Sequence, residues 1–281
     1  MTRIRRTLPL FLAAASTVAV TLTAGCDIEK EDLPGDSSSA EKSPAEKSPA
    51  KKSPDDKPAD DKPADDAPAH GTSPLDNPDG TDPGLAPLTA AADREAARAL
   101  IDRLATKGRG SGSGYEREEF GDEWLDTADG VPLAGNGCDT RNDLLRRDGR
   151  DVRFESGDDC VVETMELSDP YAGRDIDFER GPSTSMDVQI DHVVPLSYAW
   201  QMGAGTWAED KRRKFSNDPL NLLAVDGDTN SSKGDSGPAS WLPPDKRIRC
   251  AYGVRFTQVA LRYELPVTTA DKETLARQCR K

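Results

Sequence analysis

Positive charge is scarce in this chain: 37 Lys+Arg stand against 51 Asp+Glu in 281 residues, a formal charge of −14 with both histidines neutral. Nucleic-acid binders normally meet phosphate with basic surface, so the global balance argues against one. Apolar residues are also few, 35% with a mean hydropathy of −0.70, too little to order the whole length against its conformational entropy. The apolar run from Leu8 to about Val20 is too short for a permanent membrane span. Aromatic residues are missing altogether from 27–90, although the chain has 4 Trp, 5 Tyr and 6 Phe. No Cys-x-x-Cys spacing occurs and one histidine lies beyond residue 90, which leaves little for a conventional zinc site.

What is present is unevenly placed. Residues 27–90 carry 7 Lys against 16 acids, and 91–204 carry 13 basic against 25 acidic residues. The tail, 205–281, reverses the balance with 14 basic and 10 acidic residues. The acidic total therefore conceals a basic C-terminal part.

At the amino terminus, Arg3, Arg5 and Arg6 precede the apolar run, and small residues lead to Cys26, the layout of an export signal. LTAGC (22–26) resembles a bacterial lipobox, with Thr23 where Leu is usual. The resemblance implies a signal peptide over 1–25, diacylglycerol on the Cys26 thiol, and a protein held at the extracellular face of the cell membrane. Residues 26–88 follow as a Pro/Asp/Lys-rich tether in which EKSPA and DKPAD recur. Such a segment favours extended polyproline-like conformations and is expected to be disordered; fully extended it reaches roughly 200 Å. His70 lies inside it.

A single domain is expected over 89–281. Thr89 is a candidate N-cap for a helix whose buried face is Ala97, Leu100, Ile101 and Leu104. Strands are predicted at Val131–Leu133, Val161–Met165, Val188–Ile190 and Leu222–Val225. Helices are predicted at Leu196–Met202, Trp207–Phe215, Val254–Leu265 and Thr268–Cys279, the last opened by a capping box of Thr268 and Asp271. The mixture is α+β. Four cysteines in an exported domain point to two disulfides. Cys138 with Cys160 and Cys250 with Cys279 is the favoured pairing, because each pair brackets one contiguous segment.

The informative stretches are VQIDHVVPLSYAW (188–200) and NDPLNLLAVDGDTNSSKGD (217–235). An alternating strand delivers Asp191 and His192 at its end; a second strand starts after Asn221, and a turn leads to Asn230 at the start of a helical turn. Asp191 and Asn230 offer oxygen ligands, suited to one divalent cation, Mg²⁺ or Mn²⁺. His192 is a candidate base. Asn221, were its amide oxygen against the ring, would fix the tautomer, and Lys233 is placed to hold the scissile phosphate.

Segment 187–244 resembles the ββα-metal (HNH, or His-Me finger) nuclease motif. The stretch 136–279 is similar to the HNH endonuclease family related to the C-terminal domain of GmrSD-type restriction enzymes, many of whose members are exported actinobacterial proteins. CDTRNDLLRRD (138–148), DPYAG (169–173) and CAYGVRF (250–256) carry the likeness with the two stretches above. It implies a ββα-metal core in a small disulfide-stabilised domain, with Asp191 and Asn230 on the metal, His192 as general base and Asn221 as the middle Asn. The expected activity is metal-dependent hydrolysis of phosphodiester bonds in DNA, with RNA a second substrate and low sequence specificity. Arg141, in the family-like segment, is either a phosphate clamp or an ion-pair partner of Asp139 and Asp143. Lys211, Arg212, Arg213 and Lys214 read as one solvated helix face, and Trp200, Trp207 and Trp241 as core. No protein partner is evident. The alternative is a non-catalytic cell-envelope binding module with the same fold.

Overall fold

A computed structural model describes residues 71–280. The expected signal peptide, the lipidated Cys26 and the tether up to His70 lie outside the described residues.

Residues 71–88, expected from composition to be the end of the tether, are packed on the domain as a strap. Leu85, Leu88 and Asn77 are buried, and Gly71 bridges to Gly84. Asn77 closes the intervening turn by donating to the Asp82 carbonyl and accepting its N–H. Arg147 donates to the Gly80 carbonyl at 2.6 Å, and Asp148 accepts the Gly84 N–H at 2.9 Å. Two leucines suffice here because buried arginine and aspartate satisfy the strap's backbone.

Helix α1 (Ala91–Asp102) buries Ala97 and Ile101, and its N-cap is Ala90 rather than Thr89. Helix α2 (Thr140–Asp148), which apolar spacing did not announce, is capped by Asp139 accepting the Asn142 N–H. Strands β1 (Gly149–Phe154), β2 (Val162–Ser168) and β3 (Asp175–Glu179) follow as an antiparallel sheet in that order. β1 and β3 are mostly polar and bring only Val152, Phe154, Ile176 and Phe178 to the core, too short an alternation to stand out. The expected strand at Val131–Leu133 is a turn. The Asp126 carboxylate accepts N–H groups from Gly135, Asn136 and Gly137 and curls that segment around itself.

β4 (Val188–His192) and β5 (Leu222–Asp226) pair antiparallel, with His192 opposite Leu222 and Val188 opposite Asp226. Between them run α3 (Leu196–Met202) and α4 (Glu209–Asn217); after them come α5 (Gly227–Lys233), α6 (Arg249–Arg262) and α7 (Thr269–Gln278). The Thr268 hydroxyl caps α7 by accepting the Asp271 N–H. Both expected disulfides are present: Cys138–Cys160 ties the start of α2 to the β1–β2 connection, and Cys250–Cys279 joins α6 to the end of α7.

The β4–β5 pair lies between two cores. Val188, Ile190, Leu222 and Ala224 pack with Leu144, Met165 and Phe178, whereas Leu223 and Val225 enter the larger core with α6. Among the described residues β4 has β5 as its one ladder partner, so no strand covers its other edge, and side chains from both of its faces can border the same space. Leu85→Ala should cost about 2–5 kcal/mol in urea denaturation. A loss no larger than that of an exposed substitution would show that the strap is not part of the folded unit.

Candidate active site

Helix α5 lies across β4 so that two rungs meet. Gln189 and Asp191, two residues apart, share a strand face, and Asn230 and Lys233, three apart, share a helix face. The Asn230 amide donates to Gln189 Oε1 at 2.9 Å, and Lys233 Nζ donates to Asp191 Oδ1 at 2.8 Å. Helix α5 can approach this closely because it opens on Gly227, where a Cβ would lie 2.0 Å from the Met186 carbonyl oxygen. Asp226 caps it by accepting the Thr229 N–H.

Lys233, expected at the scissile phosphate, is instead interior. Its side chain is 0% exposed, and Nζ also donates to the His192 carbonyl at 2.8 Å. The other Asp191 oxygen accepts from the Tyr171 hydroxyl at 2.6 Å. Burial first, and Asp191 second, push the Tyr171 hydroxyl well above its ordinary pKa, so it stays a donor. Tyr171 is delivered by the DPYAG turn, in which Asp169 accepts the Ala172 and Asp226 N–H groups and so pins the turn to β5.

The His192 side chain leaves the opposite face of β4. Its Nε2 lies 2.9 Å from the Ser216 carbonyl oxygen; a carbonyl can only accept, so Nε2 carries the proton and Nδ1 keeps the basic lone pair. The ring stacks on Trp124 with centroids 6.1 Å apart and planes 15° apart. Burial lowers the imidazole pKa to about 4, against an opposing contribution from the Ser216 bond. Trp124 itself has a left-handed backbone, φ 57°, which a bulky residue seldom adopts outside constrained sites. Asn221, expected against the imidazole, does not orient it. Its amide oxygen accepts the Val194 N–H at 2.8 Å and its amide nitrogen faces the Val194 and Phe215 carbonyls, so it staples the exit from β4.

Asp191, His192, Asn230, Gln189 and Arg141 line one open cleft of about 510 Å³ beside β4, and Trp124 and Arg117 belong to the same lining. Arg141 Nη2 donates to the Ser185 and Val188 carbonyls, at 3.2 and 3.1 Å. Those bonds replace the suggested pairing with Asp139 and Asp143, and burial lowers the guanidinium pKa. Arg212, Arg213 and Lys214 are paired with Glu119 or Asp210, and Lys211 lies over Trp207. Trp200, Trp207 and Trp241 are partly buried against the main core.

A metal ion would need free oxygen lone pairs. Each Asp191 oxygen has one protein donor and retains acceptor capacity. Asn230 uses its amide nitrogen on Gln189, and its carbonyl oxygen accepts no hydrogen bond among the described residues. No three His, Cys, Asp or Glu side chains group as metal ligands among the described residues. One carboxylate and one amide oxygen fit a hard ion that keeps most of its water.

These features define a class: a small α+β domain, stapled by two disulfides, with a neutral imidazole and oxygen donors converging on one polar cleft. Residues 139–278 match the family described as GmrSD restriction endonucleases, C-terminal domain. The chain belongs to that family. It is 37% identical over 181 residues to a protein from Arthroderma benhamiae named as an uncharacterized secreted protein, a match covering 64% of this chain and 81% of the relative. No solved structure matches the chain.

Gln189, Tyr171 and Ser216 were not singled out from sequence. Gln189 is signalled by alternation, two residues before Asp191; Tyr171 lies in the quoted DPYAG turn; Ser216 holds the imidazole through its carbonyl, which has no side-chain signature. The folded imidazole takes up its proton only near pH 4, while the unfolded one does so near 6.5. Stability is therefore unaffected above pH 6.5 and falls as pH drops from there toward 4. With two histidines in the chain, long-range ¹H–¹⁵N spectra at pH 5.5 should show His192 as the neutral Nε2–H tautomer. An imidazolium signal there contradicts this assignment.

Proposed function

We propose that this protein is an exported, metal-dependent endonuclease that hydrolyses phosphodiester bonds in DNA, and in RNA as a second substrate, with low sequence specificity. The observation that carries the reading is the meeting of His192, neutral with a basic Nδ1, and the Asp191 and Asn230 oxygens in one cleft. Family membership supports it. An antiparallel β4–β5 pair followed directly by α5 supports a ββα-metal reading of the site.

In this mechanism His192 Nδ1 removes a proton from water. The water oxygen attacks phosphorus in line, the P–O3′ bond breaks, the departing 3′-oxyanion takes a proton from solvent while His192 releases its own, and a 5′-phosphate and a 3′-hydroxyl result. Ser216 holds the imidazole through Nε2–H, and Trp124 stacks against its face. Asp191 and Asn230 would hold one Mg²⁺ or Mn²⁺, whose chemistry when bound is to neutralise charge on the phosphate and the departing oxygen. Lys233 and Tyr171 hold the Asp191 carboxylate in place, one donor on each oxygen. Because Lys233 already neutralises Asp191, binding of the ion should be weak until a phosphodiester adds its own charge.

Export is supported by the two disulfides, which persist in oxidising compartments, and by the name of the Arthroderma relative. A diacylglycerol anchor on Cys26 would keep the enzyme at the outer face of the membrane, on a tether over 26–70. Incubation with supercoiled plasmid should give nicked and linear forms with Mg²⁺ or Mn²⁺ and none with EDTA, and His192→Ala should lose at least about 100-fold in rate. An intact plasmid under every metal would return the reading to a non-catalytic envelope module, and cutting by His192→Ala at the wild-type rate would remove His192 as base.

A further inference from the structure

With Lys233 sealed in the interior, the cleft needs another cation to meet the substrate. Among the described residues that line it, the basic ones are Arg117 and Arg141. Arg141 is half-buried and already bonded to two carbonyls. Arg117 differs in every respect. Its side chain is 45% exposed, its Nε donates to Glu123 at 2.6 Å, and its two terminal nitrogens make no hydrogen bond among the described residues. That leaves the outer fork of a guanidinium open on the cleft, the geometry that takes two oxygens of a phosphate.

Sequence context makes the placement selective. Arg117 is the sole basic residue between Arg109 and Arg141, in a stretch that holds eight acids. A charge-balancing role is a weak explanation, because an exposed pair such as Arg117–Glu123 contributes at most about 1 kcal/mol. Position is also fixed from below. Arg117 opens the 3-10 turn Arg117–Phe120, whose Phe120 is buried against Phe215 of α4. Arg212 donates to the Glu119 carbonyl, and the Ser216 hydroxyl donates to the Phe120 carbonyl at 2.9 Å. Ser216 is the residue whose own carbonyl holds His192, so one segment sets both the base and the arginine. This arm precedes the family-matching residues 139–278.

We propose that Arg117 is the phosphate-binding residue of the cleft, gripping a backbone phosphodiester of a polynucleotide strand while His192 faces the scissile one. The inference rests on the nuclease reading for its substrate class. Its test is binding, measured in the full chain by fluorescence anisotropy with a fluorescein-labelled oligonucleotide, in a His192→Ala background and again in the wild type with EDTA. Arg117→Gln should weaken binding about 5- to 10-fold and reduce the slope of log K against log salt by about 0.7–0.9, one phosphate contact. Arg117→Lys should restore the slope but not the full affinity, and Arg153→Gln, on exposed β1 surface, should change neither. Unchanged affinity and slope for Arg117→Gln overturn the proposal, even if wild type cuts plasmid. The expected loss, found in a protein that cuts no plasmid, upholds Arg117 as a phosphate ligand while the catalytic reading fails.

Discussion

A lysine ammonium with no exposed surface, bonded to a buried carboxylate, sets the terms for everything around it. Taking two opposite charges out of water costs several kcal/mol per ion, and mutual attraction compensates only when the remaining donors and acceptors are also satisfied. Here they are. Lys233 has both the Asp191 carboxylate and the His192 carbonyl, and the second carboxylate oxygen has the Tyr171 hydroxyl. Meeting those demands locks α5, β4 and the 169–173 turn to one another. The site is rigid because its interior charges would otherwise be unpaired.

That interaction divides the labour among cations. A lysine that neutralises Asp191 is lost to the substrate, so positive charge for phosphate must come from elsewhere in the cleft lining, where Arg117 stands in an acidic stretch. It also answers the question raised by the net charge of −14. Most acids of residues 27–90 precede the described domain, and within the site a buried ion pair leaves no net charge to repel a polynucleotide. Loose binding followed by release is what such a balance favours, in contrast to the salt-sensitive coating achieved by strongly basic proteins.

Much of this was legible from residues alone. The alternation in VQIDH places β4, and spacing puts Asn230 and Lys233 on one face of the following helix, because strand and helix periods are fixed by backbone geometry. Cysteine positions give both disulfides. What spacing does not carry is depth: it locates Lys233 on the right helical rung but not whether that rung faces phosphate or the interior, which depends on Tyr171 and the carbonyl of His192. Asn221 illustrates the same limit, since an amide can serve a ring or a backbone equally well and only the tertiary path of residues 193–194 decides. The strap at 71–88 was hidden because it shares the tether's Pro and Asp content and its lack of aromatics, although its polar backbone is bound by Arg147 and Asp148. Ser216 holds His192 through its main chain, and that role could not have been found by side-chain type.

The account therefore stands on the claim that Lys233 acts inward, through Asp191. A double-mutant cycle in urea denaturation, with Asp191→Asn, Lys233→Met and the two combined, measures that coupling directly. The account predicts that each single variant loses about 3–5 kcal/mol, because each leaves a buried partner uncompensated, and that the double variant loses far less than their sum, by at least about 2 kcal/mol. Losses that add to within about 0.5 kcal/mol would mean that the two side chains are independent, and would contradict it.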